Sequence, residues 1–326
     1  MSSECYPIDA VVAWVDGNDP VHRAKRARYD RTSAKAQLED IGGETRFVSV
    51  GEIKYCVASI LRFAPFIRKI FIVTDQQNPG LDTFLDKNFP VHQTQIEIVD
   101  HQVIFRDHEE VLPVFNSLSI ESVLWRIPDL SDHFIYFNDD VMLAAPTKPE
   151  DFFVDDKVVC YAEKFSLFFA RFLRAIKPKK HGHKVFGYKD AMVNACDACG
   201  QKSWFPYIGH MPLPQKRSLI EEFFEGHPEL MAENMKHRFR EPSQFNVQVL
   251  CYMLGLRSGK CLMRSKKGMF HYLMPKPKPD YVQNHLERFD RHPSALFCCF
   301  NGLDQASEED RKRVISWLEH RIGVED

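Results

Sequence analysis

The chain has 326 residues, 44% hydrophobic and 27% charged, with a formal net charge of -2. These values support one large α/β domain or two smaller ones and exclude a disordered polymer. Near-neutrality points to no nucleic-acid partner, so any basic surface is local.

At the N-terminus, MSSECYPIDA has no basic region followed by an apolar stretch, so it does not read as a secretory signal. Four short apolar runs read as buried strands, at 10–15, 70–73, 96–99 and 134–137. Helical patterns lie between them. In EIKYCVASILRF (52–63), Ile53, Val57, Ile60 and Leu61 share one face. In SLSIESVLWRI (117–127), Ile120, Val123, Leu124 and Ile127 do the same, with Asn116 or Ser117 as the N-cap. Strands alternating with helices predict an α/β fold, a mostly parallel sheet covered by helices on both faces.

Each expected strand ends in polar residues: Asp16, then Thr74 and Asp75, then Asp100 and His101, then Asn138, Asp139 and Asp140. Open α/β sheets bind ligands beyond the carboxyl ends of their strands, so these ends would meet at one crevice. Taken singly, each is also an ordinary turn residue. Two adjacent carboxylates repel one another, and a divalent cation with a preference for oxygen ligands, Mg²⁺ or Mn²⁺, would offset that repulsion.

From about residue 150 the pattern is less regular, with proline-rich GHMPLPQ (209–215) and PKPKPD (275–280) and a C-terminal helix over 308–322. The expected division is an α/β core over 1–150 and a mostly helical part over 151–326 that completes the site. One continuous catalytic domain is the alternative.

CDAC (196–199), with His181 and His183 upstream, has the spacing of half a zinc site but no second pair, so ordinary thiols are the expectation. Nine cysteines without an export signal read as reduced thiols of a cytoplasmic protein. FSLFFARFLRAIKPKK (165–180) puts Phe165, Phe168, Phe169, Phe172 and Ile176 on one face before a basic tail. Packing against the core is the expected use of that face, with an anionic membrane surface as the alternative. No Walker loop, no G-x-G-x-x-G and no run near the roughly 18 apolar residues of a membrane span is present.

Together, IDAVVAWVDGNDP (8–20), EIKYCVASILRFAPFIRKIFIVTDQQNP (52–79), LPVFNSLSIES (112–122), FIYFNDDVML (134–143), GHMP (209–212), HRFREPSQFNVQVLCYMLGLRSGK (237–260) and FCCFNGLD (297–304) resemble the Stealth family of sugar-phosphate transferases in order and spacing. That family includes bacterial capsule and exopolysaccharide phosphotransferases. It also includes the Golgi enzyme that places N-acetylglucosamine-1-phosphate on lysosomal glycoproteins.

The resemblance implies a nucleotide-sugar-transferase-like fold, of the GT-A or Rossmann-like kind. It also implies transfer of a hexose 1-phosphate from a UDP-sugar to a hydroxyl of an acceptor glycan or glycolipid, with release of UMP. By the same resemblance, Glu121, Asp139 and Asp140 hold the metal and Arg240 stabilises phosphoryl charge. His210 or Asp16 serves as the base, and Glu52, Asn116, Asn138 and Asn301 contact substrate. A cytoplasmic protein, peripheral at the inner face of the plasma membrane, would suit a lipid-linked acceptor.

Three places depart from the family pattern: Ala58-Ser59 replaces Arg-Ser, Ser243-Gln244 stands where an acid is usual, and Asn301-Gly302 replaces Asn-Asp. A metal-dependent glycosyltransferase releasing UDP and a non-catalytic nucleotide-sugar-binding relative are the competing readings.

Overall fold

The structure, a computed structural model, describes residues 6–29, 50–176 and 186–326, with the backbone alone at 179–180 and 183–184. The main sheet is built on β1 (Ile8–Ala13), flanked by β2 (Ile67–Thr74) and then β3 (Gln95–Asp100) on one side. On the other side lie β4 (His133–Asn138) and then the strand Leu213–Lys216. All pairings are parallel except the last. The register pairs Ala13 with both Val73 and Asn138, and Thr74 with Asp100, so the carboxyl ends of four strands share one edge.

The chain is therefore α/β with a mostly parallel sheet, as expected, although two strands differ from their predicted form. β1 begins and ends two residues before the predicted 10–15. Its second residue, Asp9, is fully buried, and the apolar pattern was read only from beyond it. Arg68 donates to both Asp9 carboxylate oxygens (2.9 and 2.8 Å) and the Ser131 amide donates to one (2.7 Å). β3 was expected to be buried, yet it is an edge strand and Ile98 is largely exposed.

The helix α1 (Pro20–Tyr29) follows the first loop, and α2 (Glu52–Phe63) spans the predicted residues. The α2 helix is buried nearly all round, because a C-terminal helix, Glu308–Ile322, covers the side facing away from the sheet. Arg62 ties the two together by donating to the Ile322 and Gly323 carbonyls, both at 3.0 Å. The predicted helix at 117–127 is broken. It is α-helical only over Ser117–Glu121 and resumes as a 3-10 turn at Leu124–Arg126. Asn116 is its N-cap, accepting from the Leu118 amide at 3.1 Å.

The second half is richer in strands than its sequence pattern indicated. A short strand β5 (Val141–Leu143) runs antiparallel to Phe297–Phe300, which in turn lies parallel to Phe270–Leu273. The chain thus leaves the main sheet at Asn138 and enters a second sheet at Val141. Asp139 and Asp140 are the joint. One continuous apolar core lies under both sheets.

Two other segments behave differently from one another. Cys196 and Cys199 are buried free thiols, held protonated by burial, while His181 and the His183 side chain lie outside the described residues. The helix Leu167–Ile176 forms as predicted, but its phenylalanine face does not pack on the core. Phe168, Phe169, Phe172 and Ile176 are all exposed. Among the described residues, no helix is long and apolar enough to cross a membrane.

Candidate active site

The sheet-to-sheet joint organises the site. Asn301, at the end of the strand Phe297–Phe300, donates from Nδ2 to Asp140 Oδ2 at 2.8 Å, and the Phe300 amide donates to the Asp140 carbonyl at 3.0 Å. The Cys299 thiol faces the same carboxylate oxygen at 3.6 Å. Asp139 lies beside it. Burial raises the Asp139 carboxyl well above its ordinary value, and the charges of Asp140 and Glu52 add to the shift.

Glu52, the first residue of α2, is raised for the same reasons, by burial first and then by Asp140 and Asp304. Its Oε2 accepts from the Val50 amide at 2.8 Å. Asp304, in the short turn after Asn301, is likewise raised by burial. Four acids therefore influence one another around this joint, and among the described residues no Lys or Arg forms an ion pair with any of them.

Glu121 belongs to a second group. Its Oε1 lies 3.1 Å from the Tyr136 hydroxyl, which also lies 2.8 Å from Asn138 Oδ1. Its other oxygen, Oε2, is buried without a hydrogen-bond partner. Burial pushes its carboxyl up to about 7, against the opposing pull of Arg240. Burial also lowers the Arg240 guanidinium from its ordinary value, with Glu121 counteracting, and Arg240 donates to Ser117 Oγ at 2.8 Å. Arg240 is the charge that acts on Glu121, while Asp140 and Glu52 act on Asp139, and the Tyr136 hydroxyl links Glu121 to Asn138 beside that pair.

His210 feels the charges of both Asp140 and Arg240. Its ring stacks on Tyr188 (centroids 4.9 Å apart, 25°) and tilts against Tyr272 (5.5 Å). Burial lowers its pKa below the usual 6.5, which leaves it neutral near pH 7. Gly209 packs closely beside it: a Cβ there would come within 2.7 Å of the Phe270 ring and 2.9 Å of the Met211 methyl, so those side-chain ends would have to shift.

A buried amide network positions Arg240. Asn116 donates to Gln244 Oε1 (2.7 Å), to Ser119 Oγ (3.1 Å) and to the His237 carbonyl (3.2 Å). Gln244 donates from Nε2 to Ser119 Oγ (2.9 Å) and to the Asn234 carbonyl (2.7 Å). The loop bearing Arg240 is thereby held against the helix bearing Ser117 and Glu121. Asn116 thus stands in the scaffold of the site, with its side chain engaged by protein.

The remaining strand ends are engaged otherwise. The Asp16 side chain accepts from the Asn18 amide (2.8 Å), and Gln77 clasps its backbone from both sides, at 2.8 and 2.9 Å. Asp75 is paired with Lys25 at 2.8 Å. Asp100 accepts from the Gln102 and Gln76 amides as a helix cap. A third acidic group, Asp132 and Asp156 with His133, lies at the opposite end of β4. Lys216 already bridges it, 2.5 Å from Asp156 and 3.3 Å from Asp132.

Tyr136, Tyr188, Ser117 and Asp304 were missed in the sequence. For Tyr136 a signal exists: it lies two residues before Asn138 on a strand, and so on the same face.

Comparison with known proteins agrees with the motif order. Residues 6–34 match Stealth protein CR1, conserved region 1, and residues 46–161 match Stealth protein CR2, conserved region 2. The chain is 33% identical over 272 residues to the receptor polysaccharide phosphotransferase WefC of Streptococcus gordonii, covering 75% of this chain and 77% of that one. It is 31% identical over 278 residues, with the same coverage, to the capsular polysaccharide phosphotransferase WcwK of Streptococcus pneumoniae. Among solved structures, the galactosyltransferase LgtC in complex with donor and acceptor sugar analogues aligns with a TM-score of 0.46 at 12% identity, over 97% of this chain and 95% of that one. The chain belongs to the Stealth protein family.

Proposed function

We propose that this chain transfers a sugar 1-phosphate from a nucleotide sugar, a UDP-sugar, to a hydroxyl of an acceptor glycan or glycolipid. The observation that carries the reading is the joint between the two sheets. It brings together a set of acids with no paired cation among the described residues, a buried arginine and a neutral histidine, in a family whose relatives are named polysaccharide phosphotransferases.

The acids fit a divalent cation. Asp139, Asp140 and Glu52 repel one another with no protein cation paired to them, and their oxygens are the hard donors that Mg²⁺ or Mn²⁺ takes. Asp139 and Asp140 would hold the ion, which when bound supplies positive charge to the donor's diphosphate.

The chain's own residues supply the rest. Arg240, held by Ser117 and its buried loop, faces charge that accumulates on the transferred phosphoryl oxygens. His210, neutral through burial, accepts the proton of the attacking hydroxyl. The acceptor oxygen forms a new bond to phosphorus as the bond from phosphorus to the UMP oxygen breaks. UMP leaves with that electron pair, and a phosphodiester remains. Asp16, engaged in its own turn, orients substrate in this scheme, and Glu121 fixes Arg240.

The test is the leaving group. Purified chain with UDP-N-acetylglucosamine, Mg²⁺ and an acceptor glycan should release UMP and form a phosphorus-containing product detectable by phosphorus NMR. Release of UDP with a phosphorus-free product would instead make the chain a glycosyltransferase.

A further inference from the structure

The helix Leu167–Ile176 buries Leu167 and Ala170 but leaves a second apolar stripe outward, unlike a helix on an ordinary globular surface. Such a helix turns its apolar stripe inward and its charges outward. Here the arginines reach the neighbouring helix: Arg171 is paired with Asp197 at the surface, and Arg174 donates to Asn194 Oδ1 at 2.9 Å and lies 3.6 Å from Asp190. The stripe of Phe168 (79% exposed), Phe172 (51%), Ile176 (61%) and Phe169 (49%) faces outward. Phe168, Phe169 and Phe172 are the exposed phenylalanines among the described residues, and they sit within two helical turns.

Charge says what covers the stripe. From Lys164 to Lys189 the sequence holds eight Lys or Arg and no Asp or Glu, in a chain of net charge -2. Lys164 lies over the Trp204 ring at 4.8 Å, while Lys189 and Lys266 lie over Tyr207 at 4.9 and 4.1 Å. Aromatic rings beside lysines, flanking an outward apolar stripe, suit the headgroup level of an anionic bilayer.

The position relative to the site gives this surface a use. The arginines fasten the helix to Tyr188–Ala198, and Tyr188 is the ring stacked on His210. Tyr272, whose ring tilts against His210, is exposed, as is Met274.

We infer that the helix Leu167–Ile176 and its basic surroundings dock this protein on an anionic lipid surface, with the His210 side of the site turned toward acceptors carried by lipid. The inference rests on the proposed phosphotransfer only for the acceptor. The docking itself is independent of turnover.

Full-length protein is floated with vesicles of equimolar phosphatidylglycerol and phosphatidylcholine, and with phosphatidylcholine alone. Binding to the anionic vesicles only, weakened by salt, is expected. The doubly substituted Phe168→Glu, Phe172→Glu chain should lose that binding while keeping its thermal unfolding midpoint and its UMP release with a soluble acceptor. Undiminished flotation of the double variant, or no flotation of the parent, overturns the inference. So does a parent chain that is dimeric by sedimentation and becomes monomeric on substitution, because a second copy would then cover the stripe. If vesicle binding and its loss are seen but no UMP is released, the docking stands and the functional reading falls.

Discussion

Asn301 Nδ2 donates to Asp140 Oδ2 at 2.8 Å, joining the end of one sheet's strand to the turn that leaves the other. The bond fixes one carboxylate of the adjacent pair while leaving its second oxygen for another partner. Groups that orient a metal-binding carboxylate typically change affinity about 10–100-fold when removed. Asn301→Ala should therefore weaken Mg²⁺-dependent thermal stabilisation by that factor, read from the shift in unfolding midpoint across a Mg²⁺ titration. Asp140→Asn should abolish both the stabilisation and turnover.

Arg240 reaches Ser117 from a loop held by buried amides. Loss of a preorganised charge-stabilising donor costs about 10²–10³-fold in kcat. Arg240→Ala should show a loss of that order with an unchanged unfolding midpoint. A large fall in the midpoint would make the arginine structural.

Glu121 makes stability depend on pH in a defined direction. Its carboxyl is raised from 4.5 to about 7 in the folded chain, so between those values the folded state binds more protons than the unfolded state. The stabilisation is full below about 4.5 and is lost as pH rises through about 7. At about 1.4 kcal/mol per unit the upper bound is about 3 kcal/mol. Relative to Glu121→Gln, the parent should lose stability across that window, measured by urea unfolding at a series of pH values.

The Gln244 amide donates to both Ser119 Oγ and the Asn234 carbonyl. A carboxylate could make neither bond, so one of its oxygens would be buried against two acceptors while the other kept the Asn116 and Glu241 donors. Gln244→Glu should destabilise the chain by about 2–4 kcal/mol, measured by denaturant unfolding.

His210 is held below its ordinary pKa by burial. The kcat/KM profile should rise with pH through a value below 6.5 and then level. His210→Gln should flatten this limb as well as lower the rate, which a merely structural histidine would not do.

Much of this was legible in the sequence. The four parallel strands, α2, the C-terminal helix and the Asn116 cap follow from local periodicity and capping chemistry. The Asp139–Asp140 joint was visible because acids interrupt an otherwise apolar run. Glu121's association with Arg240 was not visible, since the two are brought together by contacts more than a hundred residues apart in sequence. Nor were the ends of β1 and β3. A buried carboxylate paired with Arg68 looks like a surface residue in the sequence, and an edge strand can carry the same apolar composition as a central one.

The sequence by itself determined which residues share a face and in what order the family's motifs run, because both depend on near neighbours. Only the tertiary structure decided what each face meets. The phenylalanines of Leu167–Ile176 share a stripe by helical spacing alone, but that stripe faces outward because Arg171 and Arg174 find their acceptors on the neighbouring helix. Asp75 and Asp140 both follow a parallel strand, yet Asp75 is neutralised by Lys25 while Asp140 sits among other acids. Whether a charge is compensated depends on distances across the fold, and spacing along the chain carries no record of them.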